Sequence, residues 1–207
     1  MQRHELRNIF LVLGALLLAG RPLHAGGEER LRVVATIPDL ADIVQRIGGD
    51  RVEVSTIARG KENTHAVAVK PSHLVAMSKA DLFVQIGLSL ESTYVPGLLE
   101  GCRNEAIQPG QRGFLDVSEG WTAIEKPVSL SRAQGDVHPQ GNPHLNLDPR
   151  AGRQMAERVL AGLLQLDPAG KEGYESRHAA YSKELDVAEQ RWAEQAKDWA
   201  GKKLVMY

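Results

Sequence analysis

LRVVATIPDLADIVQRIGGDRVEVSTIA, residues 31 to 58, places two β-branched runs on either side of a helical pattern. Leu31 to Ile37 is a short apolar stretch of the length a buried strand needs, and RVEVSTIA is a second strand. Between them Leu40, Ile43, Val44 and Ile47 recur at i, i+3, i+4 and i+7, which gathers them on one face of a helix. Gly48 and Gly49 provide its C-terminal stop. A strand, an amphipathic helix and another strand at this spacing form a right-handed crossover between parallel neighbours.

The alternation continues downstream. The polar stretch RGKENTH leads into KPSHLVAMSKA, a helix with Ser72 as its expected N-cap. DLFVQIG is a third strand, ESTYVPGLLEG a helical piece interrupted by Pro96, and GFLDVS a fourth strand. The predicted class is α/β, with one parallel-sheet (β/α)4-like lobe. Glu119 to Pro143 is rich in Gly, Pro, Ser and Gln and reads as a surface loop beside or over a site. PRAGRQMAERVLAGLLQLD then starts a helix with Pro149 in its first turn and Met155, Val159, Leu163 and Leu166 on one side. From Pro168 to Ala200 a longer helix carries Tyr174, Tyr181, Leu185, Ala188, Trp192, Ala196 and Trp199 as one apolar stripe. At 1.5 Å per residue it would run roughly 50 Å, more than one small lobe can cover. After Gly201, KKLVMY begins another strand.

Composition narrows the function. A chain of 207 residues, 43% hydrophobic, can bury a core, and 25 Lys and Arg against 26 Asp and Glu create no basic field for nucleic acid or anionic lipid. Residues 1 to 25 read as a cleavable export signal: Arg3 and Arg7, an apolar core from Ile9 to Ala19, and Ala25 before a Gly pair. That core is too short for a bilayer span of roughly 20 residues. Removing the leader takes Arg3, Arg7, Arg21 and Glu5 away and leaves 22 basic against 25 acidic side chains, a net charge of −3. The sole cysteine, Cys102, has no internal partner and reads as a small apolar filler, so a soluble periplasmic protein without disulfides is expected.

No G-x-G-x-x-G opens a helix, and Walker A, G-x-S-x-G and H-E-x-x-H sequences are absent. Chemistry therefore falls to the histidines outside the leader: His65, His73, His138, His144 and His178. Ligands of open α/β sheets sit beyond the carboxyl ends of strands. His65 follows the second strand and His144 the fourth, each just ahead of a helix, so two distant imidazoles can converge at one sheet edge. Each offers a neutral nitrogen at the ~2.0 to 2.1 Å typical of zinc. Asn63, Asn142 or a backbone carbonyl could orient the other ring nitrogen. His138 and His144 share GDVHPQGNPHLNLDP, residues 135 to 149, whose prolines and glycines shape a loop. His138 reads as a solvated loop histidine, with an auxiliary metal ligand or a residue on the metal's path in as the alternative. His73 reads as a solvated helix-start residue, and His178 as a surface or lobe-packing residue.

NTHAVAVKPSHLVAMSKADLFVQIGLSLE, residues 63 to 91, and GNPHLNLDPR, residues 141 to 150, resemble the two first-lobe metal-ligand segments of the zinc/manganese ABC-transporter substrate-binding protein family. The resemblance covers residues 31 to 207. It implies two α/β lobes joined by one long rigid helix, with the metal held by His from the first lobe and His or Glu plus Asp or Glu from the second. It makes His65 and His144 the first-lobe metal ligands, residues 26 to 167 the metal-binding lobe, residues 168 to 200 the linker and residues 201 to 207 the start of a second lobe. It further implies a truncated copy ending in the first strand of a missing second lobe, without the third ligand.

The function expected from this is capture of a divalent ion, Zn2+ with Mn2+ as the alternative, by a monomer that delivers it to an ABC permease in the inner membrane. It is not an enzymatic role. Rival readings are a surface adhesion or interaction module and a metal-dependent hydrolase, for which Glu62, Asp136 and Asp148 are the nearest carboxylates.

Overall fold

The computed structural model of the chain describes residues 30–127 and 138–203. The predicted export signal, Asp136 and the apolar end of KKLVMY lie outside the described residues. Strands β1 (Leu31–Ala35), β2 (Val52–Thr56), β3 (Leu82–Gln85) and β4 (Phe114–Asp116) form one sheet in the order β2-β1-β3-β4, with every neighbouring pair parallel. The class expected from the alternating periods is the one observed.

Helix α1 (Pro38–Gly48) buries Leu40, Ile43, Val44 and Ile47, and ends at Gly49, whose φ of 63° only glycine adopts at no steric cost. Right-handed crossovers put α1 on one face of the sheet and α2 (Pro71–Ser78) and α3 (Val95–Cys102) on the other, where they pack together. Two of these helices begin differently from expectation. Ser72 is not the N-cap of α2: Lys70 occupies that position, because Pro71, with its preset φ and no N–H to satisfy, takes the first turn. Pro96 likewise opens α3 instead of interrupting it. Cys102 is buried and free, its thiol lying 3.2 Å from the Leu99 carbonyl.

Helix α4 (Pro149–Leu166) is capped by Asp148, whose Oδ1 accepts the Arg150 N–H at 2.9 Å, and lays Met155, Val159 and Leu163 into the core beside α1. Helix α5 (Lys171–Ala196) docks against α1 and α4 over its N-terminal part, from Tyr174 to Glu189. Tyr174 is fully buried, and its hydroxyl donates to Asp167 at 2.6 Å, while Arg51 grips the same carboxylate through two nitrogens at 2.6 and 2.9 Å. Arg177 donates to the carbonyls of Ile47 and Gly48 at 2.7 and 2.9 Å, placing a cation on the negative end of α1.

Asp186 and Glu189 still pair with Arg153 of α4, at 2.6 and 2.7 Å, and past Glu189 the helix leaves the lobe. Its 26 residues span about 39 Å. The apolar stripe is therefore packed at one end alone: Trp192 and Trp199 are 43% and 63% exposed. Among the described residues no helix is long and apolar enough to cross a membrane.

Candidate metal centre

The sheet order puts β2 and β4 at opposite edges, roughly 14 Å apart at the usual strand spacing. His65, on the loop after β2, and His144, on the loop after β4, nevertheless lie with ring centroids 5.1 Å apart at an interplanar angle of 69°. Both loops cross the carboxyl edge toward the β1/β3 crevice, where the connections diverge to the two sides of the sheet and ligands of this architecture gather.

A third ring joins them. His138 lies 5.0 Å from His65 and 6.3 Å from His144. All three histidines are half-buried. The rings are grouped but not in ligand geometry: among the described residues no three His, Cys, Asp or Glu side chains are placed, as they stand, to hold a metal ion together. A turn of an imidazole about its broad terminal torsion is the small adjustment that would redirect its nitrogens.

The two loops hold their histidines by the same local device. In Asn63-Thr64-His65 the Asn63 Oδ1 accepts the His65 backbone N–H at 3.0 Å, and in Asn142-Pro143-His144 the Asn142 Oδ1 accepts the His144 N–H at 3.0 Å. Each is an asparagine turn that replaces a backbone hydrogen bond with a side-chain one. The asparagines thus orient the histidine backbones, where their expected role was to orient the ring nitrogens. Asn142 is itself fixed, donating to Glu125 at 2.7 Å.

Behind the cluster lies a buried carboxylate whose role the sequence left unread. Glu91 is 2% exposed. Its Oε1 accepts the Thr36 hydroxyl at 2.7 Å and the Ile86 N–H at 2.8 Å, and its Oε2 accepts the Gly87 N–H at 3.1 Å. It therefore ties the end of β1 to the end of β3. Burial pushes its carboxyl above the ordinary glutamate range, against the lowering effect of those three donors. Burial and the adjacent Glu91 also raise the Tyr94 hydroxyl. The tie clamps a left-handed run at Gly87, Leu88 and Ser89, with φ of 86°, 50° and 67°. Two residues beyond Glu91, the Thr93 hydroxyl donates to the His65 carbonyl. An acid four residues after Gly87, in the turn that follows β3, was the available sequence signal.

The remaining histidines lie apart from this trio's chemistry. His73, expected in solvent, is 6% exposed: its Nδ1 accepts the Lys70 N–H at 3.3 Å, closing the first turn of α2, and burial lowers its pKa. His178 is half-buried on α5. Of the three carboxylates weighed for a hydrolase, the two among the described residues are engaged locally. Glu62 accepts the Arg59 N–H at 2.8 Å, which holds its carboxyl below the ordinary range, and Asp148 pairs with Arg150 at 2.8 Å while capping α4.

An open parallel sheet with imidazoles collected over its carboxyl edge is an α/β lobe with a candidate metal centre where such sheets hold ligands. The chain belongs to the family described as zinc-uptake complex component A, periplasmic (ZnuA), whose model matches residues 33–207. It is 29% identical over 180 residues to the metal ABC transporter substrate-binding lipoprotein FimA of Streptococcus parasanguinis, covering 87% of this chain and 56% of that protein. It is 26% identical over 199 residues to the manganese ABC transporter substrate-binding lipoprotein PsaA of Streptococcus anginosus, covering 94% and 61%. Among solved structures, a crystal structure of ZnuA superposes with a TM-score of 0.68 at 26% identity, covering 82% of this chain and 60% of the other. A zinc-bound ZnuA deletion mutant gives 0.68 at 27%, covering 80% and 58%. The chain thus spans a little over half the length of the relatives it matches. The family is one of solute-binding proteins.

Proposed function

We propose that this chain is the metal-binding lobe of the periplasmic substrate-binding component of a zinc or manganese ABC importer. It captures a divalent ion through His65 and His144 for delivery to a permease in the inner membrane. The observation that carries the reading is the 5.1 Å approach of two imidazoles delivered by loops from opposite edges of the sheet. Two rings bound to one tetrahedral zinc, with nitrogens at ~2.0 to 2.1 Å and ring centres about 1 Å further out, stand about 5 Å apart.

The relatives named for manganese and for zinc support both ions as cargo. Neutral imidazoles favour zinc between the two. Nothing in the site recommends an adhesive module over this reading, and capture without turnover fits the engagement of Glu62 and Asp148 elsewhere. In this proposal residues 1 to 25 are the export signal, 26 to 167 the lobe, 168 to 200 the linker and 201 to 207 the start of a second lobe, and the protein works as a monomer. His65 and His144 together supply two of the four donors of a tetrahedral zinc ion.

Zinc titration of the purified chain against a competing chelator tests the assignment. His65→Ala and His144→Ala should each weaken binding by more than the ~10 to 100-fold typical of losing a group that only orients a ligand. Unchanged affinity in both variants would overturn it.

A further inference from the structure

We infer that His138 is a third ligand of the same ion, so that this lobe offers three imidazoles and selects zinc, with its neighbours cobalt, nickel and copper, over manganese. The inference rests on the reading of His65 and His144 as ligands and adds a residue and a selectivity to it.

The geometry is the first argument. The 5.0 Å between the His65 and His138 centroids matches the about 5 Å separation of two imidazoles on one tetrahedral ion, and the 6.3 Å between His138 and His144 exceeds it by about 1 Å. One ring shift on a loop closes that gap.

The second argument is how the chain brings His138 there. His138-Pro139-Gln140-Gly141 is a tight turn in which the Gly141 N–H donates to the His138 carbonyl at 3.0 Å. Proline at the second position and glycine at the fourth are the residues such a turn favours. Gly141 has a φ of 110°, and a Cβ there would fall 2.6 Å from the Ile124 carbonyl, so the position demands glycine. The Asn142 N–H donates to the same Ile124 carbonyl at 2.8 Å, and the Ser89 hydroxyl reaches Gln140 Oε1 at 3.4 Å. The turn is thereby fastened to the left-handed segment after β3, which leads to Thr93 and so to His65. It folds the chain back on itself and sets His138 beside His65 and across from His144, the three rings marking the corners of a triangle.

Selectivity follows from donor chemistry. Neutral imidazole nitrogens suit zinc, copper and nickel, whereas manganese prefers carboxylate, carbonyl and water oxygens and lies lowest in the divalent affinity order. A third nitrogen donor within one lobe therefore strengthens zinc far more than manganese.

The test compares the full chain with His138→Ala, His138→Gln, His65→Ala and His144→Ala. Zinc and manganese affinities are measured separately, with visible absorption of the cobalt complex as a readout of nitrogen ligation and far-ultraviolet circular dichroism as the folding control. Both His138 variants should lose at least ~10-fold in zinc affinity and the intense cobalt bands of a four-coordinate ion, with manganese affinity unchanged within about twofold. Zinc affinity and cobalt spectrum unchanged in both His138 variants, with loss in His65→Ala, would overturn the third ligand and leave the proposed function standing. No loss in any variant would overturn both.

Discussion

Replacing Glu91 by alanine tests whether one buried carboxylate holds the carboxyl edge of the sheet together. Its oxygens take three donors, from Thr36, Ile86 and Gly87, at a place where Thr36 and Ile86 are fully buried and Glu91 is 2% exposed. Each donor left unsatisfied costs about 1 to 3 kcal/mol. Relief of the desolvated carboxylate, and a water entering the space vacated, offset part of this. The expected net loss is about 2 to 4 kcal/mol, a large fraction of the roughly 5 to 15 kcal/mol that stabilises a domain. Glu91→Gln keeps an acceptor for Thr36 and Ile86 but sets an amide nitrogen against the Gly87 N–H, so about 1 to 2 kcal/mol is expected. Urea unfolding of the three proteins at neutral pH measures the order parent, Gln, Ala. The raised carboxyl adds a pH signature. The folded state binds this proton more tightly than the unfolded chain, so the parent loses stability as pH rises from the ordinary glutamate value of about 4.3 through the raised one. The glutamine variant lacks that component. Because Thr93 carries the restraint on to His65, zinc affinity should fall in the alanine variant as well. An alanine variant within about 1 kcal/mol of the parent would refute the reasoning.

Other outcomes follow from the same structure. Asp167, held below the ordinary carboxylate range by Arg51 and then by Tyr174, contributes stability above pH ~4 that is lost as pH falls through its lowered value; Asp167→Asn should flatten that acid limb in a pH series of urea unfolding curves. Tyr174→Phe should cost about 1 to 2 kcal/mol by thermal unfolding, with the ring's packing preserved. Gly87→Ala places a methyl group 2.1 Å from Asp116 Oδ1 at a φ of 86° and should cost more than about 2 kcal/mol, visible as a lowered midpoint in urea. Asn63→Ala and Asn142→Ala remove the turns that hold the two histidine backbones and should weaken zinc binding by roughly 10-fold in the chelator assay without abolishing it.

Much of the lobe is readable along the chain because its causes are local. The i, i+3, i+4, i+7 pattern of Leu40 to Ile47 and the glycine pair after it are properties of a dozen residues, and each is realised in α1. Helix starts are less legible when two rules compete, as at Pro71 and Pro96, where a proline that reads as an interruption or a neighbour is the first turn itself. His73 shows the same limit: a histidine at a helix start looks solvated until a packed neighbour buries it and its ring finds the Lys70 amide. The aromatic stripe of α5 shows the reverse, since periodicity marks a face as apolar without saying that anything in the lobe covers Trp192 or Trp199.

The sequence by itself determined the parallel α/β class, the placing of His65 and His144 on loops that follow strands, and the family. Those properties rest on periodicity, turn chemistry and two short motifs. Only the tertiary structure decided that β2 and β4 lie at opposite edges while their loops meet, that His138 stands as near to His65 as His144 does, and that Glu91 joins β1 to β3 behind them. The physical reason is that these relations depend on strand order and on the path of irregular loops. Both are set by core packing and by hydrogen bonds between distant residues, and neither leaves a period in the chain.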